Sequence, residues 1–322
     1  MKLVDNKVEE YIQEPGIEGV YNAIASAARI CYQTDKEKMK LSPKEFVEQV
    51  LLKNGHTRPL EFGTVYLKIP SMAYEEPRPI DSRQVGKYEK YGGNPLWTHR
   101  NGLNQDGNWY ITTNMRVIMQ GNYTTDKEAW EHGYDKNWLS DVYDYWCEPT
   151  EYHDKRRTFT MWMSRGCTDD YRTHITLSSI CESTRFCNYS KGKFGNELTF
   201  IRPYWIREAA AEAYNHINED NCIWDSYFIN DDLDKEEAEL RDKENNFLGH
   251  MLDEEEIYLE AAGDNMEAQQ LKRLFPLGVK AELRLCGFDE AWQNFFWRRC
   301  DVHADPECIM VAHQIKSLYY NS

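Results

Sequence analysis

Two runs of alternating apolar residues set the limits on how this chain folds. Thr64 to Ile69 puts Val65, Leu67 and Ile69 on one side, and Arg157 to Met163 alternates in the same way, the period of a half-buried strand. Between them lies a long polar stretch, residues 73 to about 154, rich in Tyr, Trp and Gly. Leu198 to Ile201 reads as a third, short strand. The remaining periodic segments are helical, and no internal repeat is visible. A few strands that are not neighbours in sequence, set among many helices, make an α+β fold.

The helices are marked by their ends. Residues 16–33 carry Ile17, Val20, Ile24, Ala27, Ala28 and Cys31 at helical spacing. Ser42-Pro43-Lys44-Glu45 opens another, with Ser42 as cap, Pro43 at the first helical position and Glu45 closing a capping box. That helix runs through Phe46, Val47, Val50 and Leu51 to Asn54-Gly55, where glycine suits the left-handed C′ position. Thr168-Asp169-Asp170 reads as a helix start, and 204–217 as a helix. Glu256 to Ala262 and Met266 to Leu274 read as two short helices ending before Pro276. Asp289 is the expected cap of a helix that buries Trp292, Phe295, Phe296 and Cys300. Asp305-Pro306 opens the last one, with Cys308, Ala312, Ile315 and Tyr319 on one face.

Charge excludes one class of partner. The 322 residues include 38 basic and 54 acidic ones, a net charge of −16, the wrong sign for a face that wraps duplex nucleic acid. A small anionic ligand stays possible, because a few arginines in a pocket create a local positive field. Between Glu219 and Glu256 there are 15 acidic against 3 basic residues, read as a solvated, partly helical excursion. The 41% hydrophobic content fills a core. No stretch reaches the roughly 18 apolar residues of a membrane span, and the first residues lack the apolar region of a secretory signal. The nine cysteines are scattered and never spaced C-x-x-C, against a disulfide framework and against a metal cluster. The expectation is a soluble protein of a reducing compartment, the cytoplasm, with no metal.

The chemistry is concentrated in Arg172 to Ser190, followed by Phe194-Gly195-Asn196-Glu197. After Leu177 this run holds many hydrogen-bonding side chains, costly to bury without partners. Arg185 offers a planar fork matched to phosphate or carboxylate, and Ser183 a neutral donor two residues away. In an extended segment the two point to the same side. Spacing alone favours a plain salt bridge with a capping serine. His56, after a glycine C-cap, is open to a purely structural hydrogen bond, and Arg298-Arg299 to a role in offsetting a helix dipole.

Glu182-Ser183-Thr184-Arg185-Phe186-Cys187-Asn188-Tyr189-Ser190, together with Lys193-Phe194-Gly195-Asn196-Glu197-Leu198-Thr199-Phe200, resembles the flavin-dependent thymidylate synthase family. Other blocks agree in order. They are Ala27-Ala28-Arg29-Ile30-Cys31-Tyr32, Gly55-His56 with Leu60-Glu61, Phe275-Pro276-Leu277, and Phe295-Phe296 with Arg298-Arg299. The resemblance spans roughly half the chain. It implies one domain over residues 1–322 with a small antiparallel sheet, many helices, and insertions at about 73–154 and 207–255.

The resemblance also implies a homotetramer that methylates dUMP, or a related pyrimidine nucleotide, to dTMP. FAD, NADPH and methylenetetrahydrofolate would be its co-reactants. His56 and His174 would face the flavin, Asn294 the flavin ring or its sugar, and His303 the adenine. Ser183 and Arg185 would bind the nucleotide phosphate, and Arg299 would be the catalytic residue against the pyrimidine carbonyl. The family's Arg-His-Arg triplet reads Thr173-His174-Ile175 here, with Arg172 one residue out of register, about 100° around a helix. That departure admits two alternatives: a catalytically inactive paralogue serving as a structural or regulatory partner, and a flavin enzyme acting on another pyrimidine nucleotide. Asn114 and Arg116 resemble an Asn-x-Arg element of longer members.

Overall fold

A computed structural model of the chain describes residues 1–33, 40–70, 98–101, 106–120, 131, 143–215 and 234–321. Its strands are β1 (Lys2–Val4), β2 (Lys7–Tyr11), β3 (Thr64–Pro70), β4 (His99–Asn101), β5 (Asn108–Asn114), β6 (Arg156–Ser164), β7 (Ser178–Cys181), β8 (Thr199–Ile201) and β9 (Lys280–Phe288). Its helices are α1 (Gly16–Tyr32), α2 (Pro43–Phe46), α3 (Met115–Gln120), α4 (Arg165–Arg172), α5 (Glu208–Asn215), α6 (Lys235–Gly263), α7 (Ala268–Leu271), α8 (Asp289–Arg299) and α9 (Pro306–Asn321). The class is α+β, as the patterning implies.

The central sheet runs β2-β6-β9-β7, every neighbouring pair antiparallel. Alternation along β6 sends Phe159, Met161 and Met163 to one face, where they pack with Leu283 and Leu285 of β9 against Trp292, Phe295 and Phe296 of α8 and Val311 and Ile315 of α9. The other face is more polar and receives α1. Arg284 donates from Nε to Thr160 Oγ1 at 2.8 Å and from a terminal nitrogen to Ser26 Oγ of α1 at 3.0 Å. The helix approaches the preceding chain closely: a Cβ on Gly19 would stand 1.8 Å from the Glu14 carbonyl oxygen.

A second sheet, β3-β5-β4, packs Val65, Leu67 and Ile111 against Val20, Tyr21 and Ile24 of α1. Two of its strands come from the stretch read as an insertion at 73–154, so part of that stretch builds a layer of the fold. Most of it lies outside the described residues, as do residues 219–233 of the acidic segment. β1 and β8 pair in parallel, and around them Phe200, Tyr214, Leu248, Met251 and Tyr258 form a third core.

Several element ends differ from expectation, each for a local reason. α4 starts at Arg165, because Ser164 Oγ accepts from Cys167 N at 3.3 Å; Thr168-Asp169-Asp170 lies inside the helix, and Thr168 Oγ1 donates to Arg165 O. Glu256–Ala262 is the end of a 29-residue α6, capped by Asp234, whose buried Leu248, Met251 and Tyr258 are spaced among charges that hid the period. Met266–Leu274 reduces to α7 and a 3₁₀ turn, Lys272–Leu274. Asp289 is the first residue of α8, whose cap position is Phe288. Cys167 and Cys308 are joined, tying α4 to α9. The Ser42–Glu45 capping box forms as read, and Gly55 takes φ +67°. No helix among the described residues is long and apolar enough to cross a membrane.

Candidate functional site

β7 is an edge strand, and a cleft of about 700 Å³ runs along it, bounded by the end of α1, the Gly55–Pro59 turn and the Glu182–Phe186 loop. Its volume is in the range of sites for small organic ligands. The edge is not left to pair with another strand. Arg58 covers it, donating from Nε to Ser179 O at 2.9 Å and from a terminal nitrogen to Ser179 Oγ at 3.3 Å. At the strand's end both terminal nitrogens of Arg165 donate to Glu182 O, at 3.3 and 3.2 Å. Both guanidinium groups are fixed by backbone, with other N–H donors left over.

Ser183 begins a turn tied to α1. Its N–H donates to Cys31 O at 3.1 Å, and its own carbonyl accepts from Phe186 N and Cys187 N. Ser183 Oγ accepts from Arg185 N at 3.3 Å. The two residues therefore reach the cleft through a turn, and not through the extended segment that spacing suggests. Arg172, the last residue of α4, and Arg165, the first, are seven apart on one helix face, and both line the cleft. Arg116 of α3 lines it as well and is ion-paired with the buried Glu61. Asn114, just before α3, accepts from Val117 N at 3.2 Å and so holds the start of that helix.

The result is a positive cleft in a negative protein: among the described residues, Arg58, Arg116, Arg165, Arg172, Arg185 and Lys272 face one lining carboxylate, Glu182. Glu182 is buried and held by the Tyr189 hydroxyl and by Glu282 N at 3.2 Å. Burial raises the Glu282 carboxyl above the usual range, opposed by its hydrogen bond from Gln33. At the mouth, Tyr32 and Phe186 pair with ring centroids 4.8 Å apart, and the Tyr32 hydroxyl lies 3.3 Å from His56 Nδ1. Burial pushes the Cys31 thiol up to about 11, with the neighbouring Cys181 adding to the effect.

Of the residues singled out from sequence, His56, Ser183 and Arg185 stand together on this cleft. His174, Asn294, Arg299 and His303 are not among its lining residues. Arg299 is spent on the end of α4. It donates to His174 Nε2 at 2.8 Å, to Asp170 O at 2.5 Å and to Thr173 Oγ1 at 3.0 Å. His303 is exposed and bonded to Asp301 at 2.8 Å, and Asn294 is half-buried on α8. Sequence reading missed Arg58 and Lys272. Arg58 sits between two resembling blocks, Gly55-His56 and Leu60-Glu61, which was the available signal; Lys272 had none.

No curated protein matches the chain. Among solved structures, a UMP/dUMP methylase, PolB, from Streptomyces cacaoi, bound with 5-Br dUMP, aligns with TM-score 0.40 and 11% identity, covering 100% of this chain and 93% of that one. The pattern of the thymidylate synthase complementing protein family matches residues 149–321, which hold β6, α4, β7, Ser183, Arg185 and the C-terminal helices. That match covers more than half of the 322 residues, and the chain belongs to this family, the flavin-dependent thymidylate synthases.

Proposed function

We propose that the cleft binds dUMP or a related pyrimidine nucleotide. In this reading the protein is a cytoplasmic, thymidylate synthase-like enzyme, forming dTMP with methylenetetrahydrofolate as one-carbon donor and NADPH as reductant. One observation carries the proposal: Ser183 and Arg185 share a cleft with four further arginines, although the family's Arg-His-Arg triplet is missing. Arginines from other elements supply the charge the triplet lacks. The phosphate sits against Ser183 and Arg185, where a guanidinium fork and a hydroxyl make charge-assisted hydrogen bonds. The base lies toward the Tyr32–Phe186 rings, whose faces accept a flat heterocycle.

The flavin fits less well. Of the four residues expected against FAD, His56 alone stands on the cleft; His174 is engaged by Arg299 and His303 by Asp301. Among the described residues a single chain thus offers no complete flavin seat. A homotetramer completes that seat in this reading. The test is the visible spectrum of the purified protein with FAD, before and after dUMP, followed by an assay for dTMP. Absence of dUMP binding by calorimetry sinks the proposal.

A second reading, an inactive paralogue that acts as a structural or regulatory partner, is favoured by the Thr173-His174-Ile175 replacement and by the engagement of His174. Turnover of dUMP by the purified chain alone removes it.

A further inference from the structure

Outside the cleft, the starts of α4 and α9 meet. Cys167 is the third residue of α4, after Arg165 and Gly166, and Cys308 the third of α9, after Pro306 and Glu307. Each sits in a capped first turn: Cys167 N donates to Ser164 Oγ and Cys308 N to Asp305 Oδ1, both at 3.3 Å. A helix start favours the thiolate over the thiol. Both side chains are buried, and their Cα atoms are 5.7 Å apart.

Carboxylates converge on this pair. An oxygen of Asp305 lies within 4.8 Å of both sulfurs, and Asp170 Oδ2 lies 3.7 Å from Cys308 Sγ. Arg299 stands 3.6 Å from the other oxygen of Asp170. Among the described residues, no other three His, Cys, Asp or Glu side chains gather in this way. The two cysteines are 141 residues apart in sequence, so no motif spacing reveals the group.

In the cytoplasm proposed above, small thiols keep such a bond open. Two molecules of a monothiol reduce it, giving two cysteine thiols and one small-molecule disulfide. Two thiolates beside carboxylates then make a mixed sulfur and oxygen donor set, which suits Zn²⁺. Arg299 and the two helix starts offset the negative charge that four such ligands leave around a divalent ion. Asp305 is exposed, which leaves an entry path from solvent.

We propose that the reduced chain binds one Zn²⁺ ion through Cys167, Cys308 and Asp305, with Asp170 at the fourth position. The two thiol protons leave as the ion binds. This site does not depend on what the cleft binds. The test titrates the full chain with Co²⁺ as probe, after reduction with a phosphine, removal of the reductant and exclusion of air. The expected result is a thiolate-to-cobalt charge-transfer band with tetrahedral visible bands, saturating at one equivalent and bleached by Zn²⁺. Asp305→Asn keeps a capping side chain and should weaken Co²⁺ binding by roughly ten-fold or more. Cys308→Ser should abolish the charge-transfer band. A reduced wild-type chain without that band overturns the proposal. So does a band that survives in Cys308→Ser, which places the ion on other cysteines, or undiminished affinity in Asp305→Asn. Equal Co²⁺ binding by the oxidised chain also overturns it.

Discussion

Arg299 Nε donates to His174 Nε2 at 2.8 Å, so the imidazole accepts there and carries its proton on Nδ1. Burial, with Arg299 and Arg298 adding positive charge, lowers the His174 pKa to about 4. Arg299→Gln is expected to move that pKa up toward the ordinary 6.5, read from the imidazole shifts in an NMR titration. An unmoved pKa would mean that burial alone sets it.

The same group shapes stability against pH. Between about 4 and 6.5 the unfolded chain takes up a proton on this histidine that the folded chain refuses, so acid favours unfolding. Stability from this site is complete above 6.5 and falls as the pH drops toward 4. Melting temperatures of the wild type and His174→Gln across that window measure it; the variant should show the shallower fall.

Arg185 is exposed and makes no hydrogen bond through its guanidinium among the described residues. Arg185→Gln should leave the melting temperature in place. It should weaken dUMP binding by roughly ten- to a hundred-fold, as expected for one charged hydrogen bond of about 1.5–3 kcal/mol. Undiminished affinity would place the phosphate elsewhere.

Glu244 is fully buried on α6 and accepts from Arg207 N at 2.7 Å and from the Arg207 guanidinium at 2.7 and 3.1 Å. Removing the carboxylate leaves a partly exposed guanidinium, and the lost charged hydrogen bonds cost about 1.5–3 kcal/mol. Glu244→Ala should lower the urea midpoint accordingly, with an unchanged slope.

Gly19 in α1 has no room for a methyl group, because the obstructing atom is the Glu14 backbone carbonyl. Gly19→Ala must shift the helix or the chain before it, and a loss of about 1–3 kcal/mol is expected. An unchanged thermal midpoint would show that the Glu14 segment yields freely.

The Cys31 thiol, raised to about 11, should resist iodoacetamide at neutral pH and react only as the pH approaches that value. Peptide mass mapping after timed labelling decides this.

Local signals were legible wherever a helix or strand is decided by its own residues. The Ser42–Glu45 box, the glycine turn at Gly55, β3, β6 and the Trp292–Phe295–Phe296 face all follow from period and capping chemistry that act within a few residues. The family blocks placed Ser183, Arg185 and His56, and the fold brings these to one cleft. By contrast, α6 hid its length because its buried residues are sparse among carboxylates, and β5 because its polar residues become buried only against β3 and β4. Arg58, Arg116 and Arg165 meet at the cleft from three separate segments, so no local pattern shows that they share it. Arg299 and His174 meet across 125 residues of chain, a contact that no local pattern announces. A sequence sets dihedral preferences and apolar faces because those energies are local. Which charges share a cleft, and which are consumed in holding a helix end, depends on distances that exist only after the sheet has stacked against α1 and α8.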